Sequence, residues 1–134
     1  KKLPGWSKVD YRGTVNRKEV HKIMASSQAG LLFFHPEPNH VDAQPNKMFE
    51  YMSAGLPVLA SNFPLWKLIL EDYQAGWLSD PLDSNSIGKL IDKILSNPDL
   101  SVEMGKRGRQ TVLSRYQWRY EEKKLLSLYS ELTL

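Results

Sequence analysis

Two carboxylates eight positions apart, Asp42 and Glu50, bracket the stretch Pro45-Asn46-Lys47. Pro45 stands where the first turn of a helix tolerates a missing N–H, so the helix is read as starting at Asn46. A helix start carries unpaired backbone N–H groups and a partial positive charge, which suits a phosphate. Lys47 adds a full positive charge at the same mouth. Glu50 falls about one turn further in, and helical side chains lean back toward the N-terminus, so its carboxylate reaches the same opening. A carboxylate beside a phosphate is repulsive unless it faces hydroxyl donors, which a ribose diol supplies. Asp42 puts a second acid on the loop side, where it suits a polyol such as a sugar. Spacing alone equally allows a plainer reading, in which Glu50 offsets the helix dipole and Asp42 is an ordinary loop charge. His35, which ends an apolar run, faces a similar choice between ligand contact and a bond to loop backbone.

The elements that must position these groups alternate along the chain. Val9-Asp10-Tyr11-Arg12-Gly13 is a candidate short strand. Asn16, with Glu19 three residues on, has the spacing of a capping box, and Val20, Ile23 and Met24 continue at helical spacing to about Ser27. The run from Gly30 to His35 is apolar until its last residue and suits a strand buried on both faces. A loop rich in Pro, Asn and His covers residues 36–45, and a helix over 46–54 is closed by Gly55. Residues 57–61 and 76–79 read as further strands, separated by a short helix marked by Leu65, Leu68 and Ile69. Ile87, Leu90, Ile91, Ile94 and Leu95 form the cleanest amphipathic stripe. After Asn97-Pro98, helices follow over about 99–116 and through Leu125, Leu128, Tyr129 and Leu132. Strands alternating with helices imply an α/β fold with a parallel sheet of about four strands, and the helical tail is expected to wrap one side of it. Ligands of such sheets bind beyond the carboxyl ends of the strands, where residues 36–45 emerge. Trp6, Trp66, Trp77 and Trp118 read as core or packing aromatics, and Tyr51 and Met52 as core residues of the helix beside the site.

Composition narrows the possibilities. The 134 residues make one modest domain, with 41% hydrophobic and 25% charged residues. The chain has no cysteine, which excludes disulfides and thiolate metal sites and fits a reducing cytoplasm. The net charge of +3 suits an anionic ligand or an anionic membrane surface, and is too small to argue for nucleic acid. The basic residues Lys106, Arg107, Arg109, Arg115 and Arg119 read as the solvated face of a long helix, diluted by Glu121 and Glu122.

The residues His35-Pro36 and Asp42, with the string from Pro45-Asn46-Lys47-Met48-Phe49-Glu50-Tyr51-Met52 through Ala54-Gly55-Leu56-Pro57-Val58 to Ser61, closely resemble the donor-binding core of family 4 GT-B glycosyltransferases. The resemblance extends upstream to residues 9–15 and downstream through Gly76-Trp77-Leu78 to the helical end. It implies a Rossmann-like sheet belonging to the C-terminal half of a GT-B fold. It further implies that the first strands of that domain and the acceptor-binding domain lie outside these residues. By the same resemblance Glu50 binds ribose, Asp42, Gln44 and His35 face the donor sugar, and the backbone at Asn46, Lys47 and Met48 meets the diphosphate. Gly13, Thr14 and Val15 lie where the family's backbone approaches the base. Asp42 stands where the family usually has Glu, one methylene shorter, and the basic pair that clamps the diphosphate has no candidate here.

The implied activity is transfer of a sugar from a nucleotide sugar, with retention, to a glycan or lipid-linked acceptor. The nucleotide sugar is a substrate; no cofactor, metal or enzyme nucleophile is implied. A sugar-nucleotide epimerase of the same architecture and a non-catalytic anion-binding module are the rival readings; a dinucleotide oxidoreductase lacks its Gly-rich fingerprint. The chain alone is expected to be inactive, and cytoplasmic or peripheral at the inner membrane face. Its sheet is expected either to rearrange its strand pairing or to dimerise through an exposed edge.

Overall fold

A computed structural model describes residues 3–132. Three strands, β1 (Gly30–Leu32), β2 (Val58–Ser61) and β3 (Gly76–Ser79), form a parallel sheet in the order β1-β2-β3. Gly30 pairs with Val58 and Val58 with Gly76, so the strands start level with one another.

The period-two alternation of β2 divides the core. Val58 and Ala60, with Leu32, face one side and pack on Met48 and Met52 of α3 (Asn46–Ser53) and on Trp66, Ile69 and Leu70 of α4 (Pro64–Leu70). Leu59 faces the other side and meets Ile94 of α5 (Ser84–Leu95) and Met104 of α6 (Pro98–Arg115). The two buried residues of α3, Met48 and Met52, are four apart and fully enclosed.

The tail departs from the expected one-sided wrap. α5 covers the Leu59 face, but α6 lies across the amino ends of the strands and reaches α3 on the opposite face. Two helix glycines allow this. A Cβ on Gly105 would collide with the Gly55 carbonyl, and one on Gly108 would press on Met52 and Ala75. Gly55 itself has φ 75°, the left-handed turn that ends α3 and that a glycine adopts without a Cβ penalty.

The strand expected at residues 9–13 is not formed. A short 3-10 helix (Pro4–Lys8) and a non-regular segment occupy this region, and among the described residues none pairs with it in a ladder. Among the described residues the sheet therefore has three strands, and β1 keeps one edge unpaired rather than acquiring a rearranged neighbour. β1 is also shorter than the apolar run, because Phe33, Phe34 and His35 leave the ladder. α1 (Arg17–Ala25) begins as its capping pattern implies, with Asn16 Oδ1 accepting from the Glu19 N–H at 3.0 Å. Neither α1 nor α7 (Trp118–Leu132) buries a residue. Trp6 and Trp118 are accordingly exposed, at 45% and 66%, and only Trp66 among the tryptophans is fully buried.

Candidate functional site

The site begins where β1 gives out. The buried Ser61 hydroxyl, at the end of β2, accepts the Phe34 N–H at 2.9 Å and donates to the Phe34 carbonyl at 3.0 Å. One side chain thereby replaces a strand partner and holds the chain at the sheet's carboxyl edge as it turns outward. His35 follows, exposed, and its carbonyl accepts from His40 Nδ1 at 3.1 Å. The His40 ring lies 4.9 Å from the Phe34 ring. His40 belongs to α2 (Pro38–Val41), a single turn within the stretch expected to be all loop, started by Pro38 and bonded back to the Glu37 carbonyl.

Asp42 caps the end of this turn and is exposed. The next residue, Ala43, is fixed from the core, because the Trp66 indole N–H donates to its carbonyl at 2.7 Å. Gln44 is exposed and Pro45 serves as N-cap of α3, with no side chain to satisfy the helix N–H groups. The Met48 N–H is already engaged by the Pro45 carbonyl at 3.1 Å, and its side chain is buried in the core. Asn46 and Lys47 lead the turn, both exposed. Among the described residues neither Lys47 nor Glu50 belongs to an ion pair, so both charges face solvent.

Glu50 lies exposed one turn along α3, beside Tyr51. The Tyr51 ring packs against β1 where Gly30 has no Cβ, since one there would strike it. Burial pushes the Tyr51 phenol up from its ordinary value, and the Glu50 charge adds to the effect. A carboxylate on rigid helix, one turn from an uncapped N-terminus and a lysine, can accept hydrogen bonds from a diol while the turn itself receives an anion.

His35, Asp42, Gln44, Asn46, Lys47 and Glu50 thus share the segment emerging from the carboxyl end of β1. Gly13, Thr14 and Val15 lie ahead of α1, where Gly13 bends with φ 64°; among the described residues no hydrogen bond, ion pair or ring contact joins them to residues 35–50. Three residues that the sequence reading did not assign to the site brace it: Ser61, His40 and Trp66. The Pro57-to-Ser61 run ends in its one polar residue, and that polarity was the available signal for Ser61.

In parallel α/β sheets a helix N-terminus at the carboxyl edge is where anionic ligands can dock, and here a basic and an acidic side chain stand in its first turns. Residues 2–127 match the glycosyl transferase-like family, and the chain belongs to it. It is 33% identical over 90 residues to the alpha-1,3/1,6-mannosyltransferase of Neurospora crassa, a match that covers 66% of this chain and 18% of that protein. Its fold is that of sucrose-phosphate synthase from Thermosynechococcus elongatus, with a TM-score of 0.81 at 23% identity. That likeness covers 95% of this chain and 31% of the synthase. The chain is thus similar to the C-terminal, Rossmann-like part of GT-B glycosyltransferases, and spans less than a third of either relative. Among the described residues no helix is long and apolar enough to cross a membrane.

Proposed function

We propose that this chain is the donor-binding part of a retaining, family 4 glycosyltransferase that moves a hexose from a nucleoside diphosphate sugar to a glycan or lipid-linked acceptor. The mannosyltransferase relative makes mannose the first sugar to try. The observation that carries the reading is the uncapped start of α3 beyond β1, with Lys47 exposed on its first turn and Glu50 one turn on.

In this reading the diphosphate lies on the Asn46 and Lys47 N–H groups, and Glu50 accepts from the ribose hydroxyls. Asp42, with Gln44 and His35, faces the sugar hydroxyls. Transfer breaks the bond between the anomeric carbon and the phosphate oxygen, and negative charge grows on the departing diphosphate. Fixed N–H dipoles and the Lys47 ammonium stabilise that charge without reorganising. The acids orient the donor; neither acts as nucleophile. The acceptor binds to a part of the enzyme outside this chain, so the 134 residues alone have no transferase activity and hold nucleotides weakly.

Titration of the chain with UDP, GDP and ADP, followed by amide NMR, is expected to shift the first turn of α3 with weak affinity; tight binding, or shifts confined to α6, speaks against the proposal. In the whole enzyme Glu50→Ala is expected to raise the donor KM about ten- to a hundredfold, the worth of hydrogen bonds to a charged acceptor. An unaltered KM removes Glu50 from the ribose.

A further inference from the structure

We infer that Trp66 is a positioning residue for donor recognition, acting through the backbone of the loop that presents Asp42. The inference rests on the donor-binding reading of that loop and deepens it. Trp66 is fully buried, and its ring is wedged edge-on between Phe34 at 5.7 Å and Phe63 at 4.8 Å. A buried indole must place its N–H on an acceptor. Here the acceptor is the carbonyl of Ala43, the residue after Asp42, at 2.7 Å.

The other bonds of this stretch are local. Ala43 N–H reaches His40 at 3.3 Å and Met48 N–H reaches Pro45 at 3.1 Å. Among the described residues, the Trp66 bond is the one hydrogen bond that ties residues 42–45 to an element outside the loop and α3. It joins positions 23 apart, so a rigid aromatic cluster under β1 and β2 fixes the height at which Asp42 leaves the surface. Asp42 carries the shorter of the two acidic side chains, so its reach depends more on backbone placement than a glutamate's does. Glu50 stands on α3, whose position is set by Met48 and Met52, and does not depend on this bond.

Trp66→Phe keeps an aromatic ring in the cluster but removes both the N–H donor and the volume of the fused ring. In the wild-type chain the Trp66 indole proton is expected to exchange with solvent far more slowly than that of Trp118, which is exposed. In the variant chain the Ala43 and Gln44 amide signals are expected to broaden while those of β2 and β3 hold. In the glycosyltransferase that carries this chain, the donor KM is expected to rise about three- to tenfold, the worth of one neutral hydrogen bond. Inhibition by the free nucleoside diphosphate is expected to stay unchanged, and Trp66→Phe should add nothing in an Asp42→Ala background. An indole proton exchanging as fast as that of Trp118 overturns the inference even if the variant does not fold. So does a variant that weakens donor and free diphosphate equally, as a general loss of structure would. If Asp42→Ala alone leaves the donor KM unchanged, the sugar-contact reading of Asp42 fails, and with it the functional role of Trp66. The loop signals then report separately whether the bond orders the backbone.

Discussion

The two ends of the same three-stranded sheet are built on opposite terms. At the amino end, α6 crosses so closely that Gly105 meets the Gly55 carbonyl and Gly108 lies against Met52 and Ala75. At the carboxyl end, Asp42, Gln44, Asn46, Lys47 and Glu50 are all exposed, and Pro45 leaves the first turn of α3 uncapped. One end is closed by backbone-to-backbone approach; the other keeps its donors and charges unspent. Stability and ligand affinity should therefore separate between the two ends, and substitutions can probe how cleanly.

The largest effect is expected at the closed end. Gly105→Val forces a side chain into the Gly55 backbone, which cannot yield as a flexible side chain would. A loss of about 3 kcal/mol in denaturant unfolding is expected, the upper part of the range for overpacking. A loss below about 0.5 kcal/mol, typical of neutral surface changes, breaks the contrast at its strongest point. Ser61→Ala tests the boundary between the ends. It leaves the Phe34 N–H and carbonyl without their partner, and about 1–3 kcal/mol of stability should go with them. Hydrogen exchange should localise that loss to Phe34 and the residues after it.

A smaller effect is expected in alkali. Burial, reinforced by the Glu50 charge, raises the Tyr51 phenol above its ordinary value of 10.0, and burial likewise raises that of Tyr116. The folded state thus favours the neutral phenols. Their contribution is full below pH 10 and is lost as pH rises from there through the raised values. Tyr51→Phe should flatten the fall in stability above pH 10 without abolishing it, because Tyr116 remains. An identical slope for both proteins denies the coupling of Tyr51 to its surroundings. The smallest effect belongs to the open end, where Glu50→Ala should change stability by less than about 0.5 kcal/mol. A drop of several times that size makes Glu50 a structural residue and blurs the comparison.

Local signals in the sequence carried much of this architecture. The 76–79 run is β3 to the residue, the run from Pro57 forms β2, and Asn16 caps α1 as its spacing implies. Each depends on chemistry within a few positions: apolar alternation, a capping oxygen, a glycine able to take positive φ at Gly55. What was not legible depends on distant partners. Residues 9–13 have strand-like composition, but a strand exists only where a neighbour supplies the ladder. The path of α6 is written in two glycines whose meaning appears only when α3 lies beneath them. At the site, the order from His35 to Glu50 along one emerging segment was legible, because it is contiguous. The bond from Trp66 to Ala43 was not, since nothing in a tryptophan's neighbours announces which carbonyl it will find.

Among the described residues, the side chains that hydrogen-bond residues 34–43 from afar, the Ser61 hydroxyl and the Trp66 indole, both end on main-chain atoms. Anchors of that kind are blind to what the anchored residues carry. Asp42 and Gln44 can therefore be exchanged for other amino acids while the scaffold keeps its shape. A fold that grips an exposed loop by its peptide groups can change the side chains that loop presents by drift at a few surface codons, leaving the interior sequence alone.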